Sequence, residues 1–248
     1  MNDTIELLQS HFSQRSFSDQ PVDEAILTEI VKSAQAAPTS INGQQISLVV
    51  VRDPARRARI AELAGGQAWI AKAPVFICLV ADLSKTQLGM ELAGEEQVVQ
   101  DTAEAVLVTS VDAGITLATL STAARSFGLG SVSIGGIRRS PAEMIELLEL
   151  PHLTFPLVGL SVGHPEGVTP VKPRLPLETY WHNERYSLNG DEMRAAIKRY
   201  NETLLEHWRT TGRTDGDSWS VSISGYYRRN YFPKVKDALA RQGFTFTR

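Results

Sequence analysis

The sequence predicts an α+β layer fold, with helices on both faces of a mixed sheet of four or five strands. Three observations carry this. Short apolar runs rich in β-branched residues recur as ISLVVV, APVFICLVAD, SVSI and FPLVGLSVG. Between them lie segments with helical periodicity. The alternation of the two is too irregular for a series of βαβ units.

Taken in order, TIELLQSH predicts a first helix whose Ile5, Leu7 and Leu8 reach a core. HFSQRSF then runs extended. A second helix follows Pro21, capped by Asp23, with Ile26, Ile30, Val31 and Ala34 on its apolar face. AAPTSINGQQ ends it, punctuated by Pro38 and Gly43. ISLVVV is a buried strand, DPARRARIAELA a helix begun by Asp53 and Pro54, and APVFICLVAD a second strand.

A long element from about Glu95 to Phe127 stops at Gly128. Its small residues Ala105, Thr109, Ala113, Thr116, Ala123 and Ala124 suit close helix packing, in a central core or at a subunit interface. SVSI is a third strand, PAEMIELLEL a helix and FPLVGLSVG a fourth strand. The Pro-rich 165–176 stretch is the best candidate boundary, read here as a connection within one domain. Helices near Asp191–Trp208 and Pro233–Arg241 follow, separated by the TTGRTDGDS loop, and FTFT is a possible terminal strand.

With 248 residues and a formal charge of −3, the chain is large enough for a substantial core and too weakly charged to favour nucleic acid or a membrane. Arg138–Arg139 and Arg228–Arg229 are isolated basic pairs. The single cysteine, Cys78, sits in VFICLV as a small apolar strand residue, which fits a reducing compartment. MNDTIELLQS does not read as a secretory signal, and a cytoplasmic location is expected. AGITLATLSTAA is uncharged for too short a run to span a bilayer.

Several chemistries are excluded by their motifs. There is no HExxH, no GxSxG and no GxxxxGK[ST], and the five histidines lack metal-ligand spacing, so no metal is expected. GLGSVS lacks the third glycine of a dinucleotide fingerprint and follows a helix rather than a strand. A different set is coherent. His11, Ser13 and Arg15 stand at alternate positions, which an extended chain points one way. Lys172 and Arg174 repeat the pattern in VKPR. Both suit an oxygen-rich anion such as a phosphate. The GGQ at Gln67 and the IGG at Ile134, Gly135 and Gly136 let backbone groups approach a flat ring. Together these compose a flavin-binding layout, though other phosphorylated ligands would satisfy it. Taken singly, Arg15 reads as a surface arginine, Gln67 as a turn cap, and Asn42 before Gly43 as a turn residue.

In order and spacing, IELLQSHFSQRSFSDQPV, SAQAAPTSINGQQ, GGQAWIAKAP, the long DTAEAVLVTS…GSVSIGGIR segment and VGLSVGHPEGVTPVKPRLP resemble the nitroreductase family of FMN-dependent reductases. The resemblance spans almost the whole chain and is nearest to NADPH-preferring, oxygen-insensitive nitroreductases and flavin reductases. It implies a single 1–248 domain with a C-terminal excursion from about residue 165, a mainly antiparallel sheet, and a homodimer with FMN near the subunit interfaces. His11, Ser13, Arg15, Lys172 and Arg174 would hold the phosphate and ribityl chain. Gln67 and Ser133, Ile134, Gly135 and Gly136 would line the ring, and Thr39, Ser40 and Asn42 would reach it from the other subunit. Arg209, Arg213 and Arg228 are candidates for NADPH or NADH. Ser224 and Gly225 stand where close relatives carry paired basic residues, which opens the way for NADH; Arg229 lies beside Arg228. No protein side chain is expected to react. Nitroaromatics and quinones are the expected acceptors, in ping-pong order. Free flavin as the dedicated acceptor, and a non-catalytic nucleotide-binding protein, are the alternatives.

Overall fold

The computed structural model describes residues 2–167 and 169–248. Its helices are α1 (Asp3–Gln9), α2 (Glu24–Gln35), α3 (Pro54–Leu63), α4 (Ala68–Lys72), α5 (Leu83–Leu92), α6 (Ala103–Ser126), α7 (Pro141–Leu147), α8 (Gly190–Thr210), α9 (Trp219–Tyr227) and α10 (Val235–Arg241). The strands are β1 (Ile46–Val51), β2 (Val75–Asp82), β3 (Gly130–Ile134) and β4 (Thr154–Gly163). They form one sheet in the order β1-β2-β4-β3, with every pairing antiparallel. The chain divides into two compact units, one of Met1–Val168 with Phe232–Arg248 and the other of Thr169–Tyr231.

In the larger unit, β2 shows why the sheet is covered on both sides. Phe76, Cys78 and Val80 join one core cluster with α3, α4 and α7 residues such as Ile60, Ile70 and Met144. The alternate residues Val75, Ile77 and Leu79 join another with Leu27 and Ile30 of α2 and Leu120 and Ala124 of α6. The period of two sends successive side chains to opposite faces, so a strand buried on both reads as an unbroken apolar run. The α2 cap is as expected, with Asp23 accepting from the Ala25 and Ile26 N–H groups at 2.7 and 3.3 Å.

Burial at this strand affects the one thiol. Cys78 is fully buried, and desolvation pushes its pKa up from 9.0 to about 12. Native protein is expected to leave Cys78 unmodified by a thiol reagent at pH 8, with full labelling in denaturant; rapid native labelling would contradict the packing. An unfolded chain ionises this thiol first, so its contribution to stability declines as pH rises from 9.0 towards 12.

Three expectations need correction. No residue of α1 is buried, and Ile5 and Leu8 are exposed. The helix is instead tied by Arg125 of α6, which donates to the Leu7 carbonyl and, at 3.0 Å, to that of Ser10, where a cation meets the negative helix end. The long helix begins at Ala103 rather than near Glu95, because a separate short turn at Val99–Asp101 and the extended backbone of Thr102, at φ −116° and ψ 160°, precede it. It is nonetheless 24 residues long and apolar enough, by composition, to cross a membrane, beyond the twelve uncharged residues that the sequence singled out. In the fold it packs on α2 and the sheet. FTFT is not a strand: Phe244 is buried, Thr245 and Arg248 donate backbone N–H groups to Gln100 and Asp101, and Phe246 at φ 55° breaks the extension.

Candidate functional site

Gln14 anchors the HFSQRSF segment beside β3. Its backbone N–H donates to the Ser131 carbonyl at 2.9 Å, and its fully buried side chain donates to the carbonyls of Ser16 and Glu166. A side chain at Gly130 would meet Gln14 Cγ at 2.6 Å, so a glycine permits this approach. Ser13 and Arg15 flank the buried Gln14 in more exposed positions, as alternation requires, and His11 is half-buried.

The Arg15 guanidinium lies 5.5 Å from the centre of the Trp69 ring on α4. Gln67 stands at the N-terminus of that helix, and its amide donates to the Ala64 carbonyl at 2.9 Å. Gly65 and Gly66, at φ 95° and 79°, make the left-handed turn that ends α3 and delivers Gln67. Gly136 abuts the same place: an added Cβ would strike the Gln67 amide and come within 2.6 Å of the Ala64 carbonyl oxygen. Ser133 is exposed on β3, an edge strand, while Ile134 turns into the core. HxSxR, GGQ and IGG are thus brought together along one sheet edge. Sequence reasoning passed over Trp69, although an aromatic two residues beyond Gln67 was a usable signal. Its indole N–H is buried and has no partner among the described residues.

Thr39, Ser40 and Asn42 are elsewhere. Their loop leads into β1, the opposite edge of the sheet. Three strand spacings, roughly 14 Å, separate β1 from β3. The loop borders a cavity of about 780 Å³ lined by Ser40, Ile41, Gln45, Lys85, Met90 and Val108 among others. Ser40 N–H and the Gln45 amide both donate to Asp112 of α6. Asp112 was also missed, though an acid in the apolar middle of a long helix marks it.

In the smaller unit, Lys172 and Arg174 lie on an irregular segment. Lys172 Nζ lies 5.2 Å from the Trp208 ring centre and the Arg213 guanidinium 4.6 Å, so Trp208 of α8 gathers two of the predicted cations. Arg174 donates to the Lys172 carbonyl at 2.9 Å. Burial raises the Tyr200 pKa, partly offset by the charge of Arg174. Arg209 pairs with Glu206 at 2.8 Å and Arg213 with Asp215 at 2.9 Å, both exposed. The hydrogen bond and charge of Arg213 hold Asp215 below the usual carboxylate range. A cavity of about 440 Å³ is bordered by Trp208, Arg209 and Arg213. Arg228 caps the C-terminus of α9.

The β3 edge thus gathers close-packed glycines, an arginine and an amide. The known proteins that the chain resembles make it a redox enzyme. The profile of the nitroreductase family matches residues 8–164, and that of the nitroreductase family C-terminal domain matches residues 172–247. FMN reductase [NAD(P)H] of Bacillus subtilis is 46% identical over 247 residues, with 98% of each chain covered. FMN reductase (NADPH) of the same species is 36% identical over 248 residues, covering 98% of this chain and 99% of that one. The structure of B. megaterium NfrA2 superposes over 100% of both chains with a TM-score of 0.96 at 42% identity. The chain belongs to the nitroreductase family of FMN-dependent oxidoreductases, near its NADPH-preferring nitroreductases and flavin reductases.

Proposed function

We propose that this enzyme is a homodimer that binds FMN and uses NAD(P)H for the two-electron reduction of nitroaromatics and quinones in ping-pong order. The observation that carries the reading is the meeting of Arg15, Gln67 and Gly136 on the β3 edge. The residues present fit the cofactor. Gly136 packs without a side chain against the Ala64–Gln67 turn, which sets Gln67 beside the β3 edge for a flat ring, and Arg15 lies over Trp69 of the helix that Gln67 begins, for an anionic tail.

In this reading His11, Ser13 and Arg15, with Lys172 and Arg174, neutralise and hydrogen-bond the phosphate and ribityl chain. Gln67 and the 133–136 backbone hold the ring. The bound flavin supplies the redox chemistry, passing hydride equivalents from the reduced nicotinamide to the acceptor. The chain's own contribution is positioning and charge compensation, with solvent supplying the acceptor's proton.

The homodimer reading is supported by the placement of Thr39, Ser40 and Asn42: their loop lies at the far sheet edge from β3, so the ring contact assigned to them here would come from another copy. Exposed apolar side chains on this loop, α5 and α6 support a buried partner face: Ile41 is 97% exposed and Leu92 92%, with Leu88, Leu107 and Val111 also exposed. Small aromatic acceptors rather than nucleic acid or membrane, and a cytoplasmic setting, complete the reading.

Arg209 and Arg213 are assigned to NAD(P)H, with Arg228 as a further contact. Their neighbouring acids and the absence of basic residues at Ser224 and Gly225 favour use of NADH beside NADPH. A second reading, that free flavin is the principal acceptor, is favoured by the names of both Bacillus subtilis relatives, each an FMN reductase. Purified protein is expected to be yellow, to bleach anaerobically with NADPH and more slowly with NADH, and to recover colour with a nitroaromatic or quinone. Colourless protein that takes up no FMN would refute the proposal. Turnover with free FMN far above that with the other acceptors would select the second reading.

A further inference from the structure

We infer that Asp112 is a positioning residue: from within the core it sets the 39–45 loop, and through that loop the contacts which one copy makes to the flavin of the other. The inference rests on the flavin reading above. Asp112 is 1% exposed in the middle of α6. An isolated carboxylate at that depth is strongly disfavoured unless hydrogen-bonded. Among the described residues, its carboxylate accepts only from the loop: from Ser40 N–H at 3.2 and 3.3 Å and from Gln45 Nε2 at 2.6 Å.

The loop needs such a hold. Ile41, Asn42 and Gln44 adopt φ of 49°, 56° and 50°, a left-handed region that non-glycine residues avoid. Local bonds shape it, with Gly43 N–H donating to the Ser40 carbonyl at 2.8 Å and Gln44 N–H to Thr39 Oγ1 at 3.2 Å. They do not attach it to the body of the protein. At its C-terminal end Lys85 of α5 donates to the Gln44 carbonyl at 2.8 Å and the Asp82 N–H to the Gln45 carbonyl at 2.9 Å, while Asp112 holds both ends, Ser40 as well as Gln45, from a helix packed on the sheet. Gln45 is itself buried, and its amide oxygen sits where a Cβ on Gly43 would fall, which turns its nitrogen towards Asp112. The carboxylate therefore acts directionally, on an N–H and an amide, rather than as filler.

The consequence is action in trans. As homodimers, Asp112→Ala is expected to bind FMN about tenfold more weakly and Arg15→Ala about 10- to 50-fold more weakly. Asp112→Ala loses FMN and riboflavin by the same factor, because the loop serves the ring. Asp112→Asn keeps an acceptor for Ser40 N–H and loses only about threefold. The deciding experiment is fluorescence titration of a differently tagged mixed dimer, one chain Arg15→Ala and the other Asp112→Ala. The copy retaining Arg15 receives an intact loop from its partner, so one site per dimer regains the affinity of the unsubstituted protein. Should Asp112→Ala not fold, Asp112→Asn takes its place in the mixed dimer with the same expected recovery.

Two weakened sites and none restored would overturn the inference, as would an Asp112→Ala homodimer that binds FMN normally. Unsubstituted protein without FMN binding would remove the flavin reading and this inference together, a result separate from either of those.

Discussion

Arg15→Ala is expected to weaken FMN binding about 10- to 50-fold while changing riboflavin affinity by no more than about twofold. The two ligands differ by the phosphate alone, so the ratio isolates the anionic tail. A charge-assisted hydrogen bond contributes about 1.5–3 kcal/mol where water is partly excluded, and less when the pair stays wet. Arg15 is exposed, but it is not slack: the Trp69 face lies under its guanidinium and limits the orientations it samples. That preorganisation is why the upper part of the range is accessible. Arg15→Lys keeps the charge and loses the planar fork, and its affinity should fall between the two. Quenching of flavin fluorescence, titrated with both ligands, makes the measurement. Equal losses for FMN and riboflavin would remove Arg15 from the phosphate and leave it a surface residue.

Legibility in the sequence followed the range of the interaction concerned. β2 could be read from VFICLV because both of its faces are buried, and the Asp23 cap of α2 because it acts over three residues. The alternation of His11, Ser13 and Arg15 was equally local, and the buried Gln14 between the last two is its structural counterpart. The terminal FTFT had strand composition, but its backbone found partners at Gln100 and Asp101, a choice made by tertiary contact. Apolar residues on α1 predicted a core that the helix does not enter, since periodicity says which face is apolar and not what covers it. Trp69 and Asp112 were missed for a related reason. Each matters through a partner more than fifty residues away, Arg15 in one case and Ser40 and Gln45 in the other, and a local pattern can mark the residue but not its partner.

Gly136→Ala is expected to damage binding in a different manner, reducing FMN and riboflavin affinity by the same factor, about tenfold, and lowering stability. The reason is space rather than backbone conformation, since Gly136 is not among the glycines with positive φ. A methyl group would come within 2.6 Å of the Ala64 carbonyl oxygen and strike the Gln67 amide. The amide is the end of a flexible side chain and can move. The carbonyl belongs to the turn that closes α3 and cannot move alone. Relief therefore displaces the 64–67 turn from the β3 edge, at about 1–3 kcal/mol. For a chain of this length that is roughly 2–12 °C in Tm. Gly225→Ala is the matched control: a methyl there meets nothing within 4 Å, and alanine suits the interior of α9. Its Tm should hold or rise slightly. Because the turn carries Gln67 towards the ring and not the phosphate, the FMN-to-riboflavin ratio should stay constant in Gly136→Ala, where Arg15→Ala changes it. A Gly136→Ala protein with unaltered Tm and flavin affinity would mean that the GGQ and IGG segments do not share a ligand.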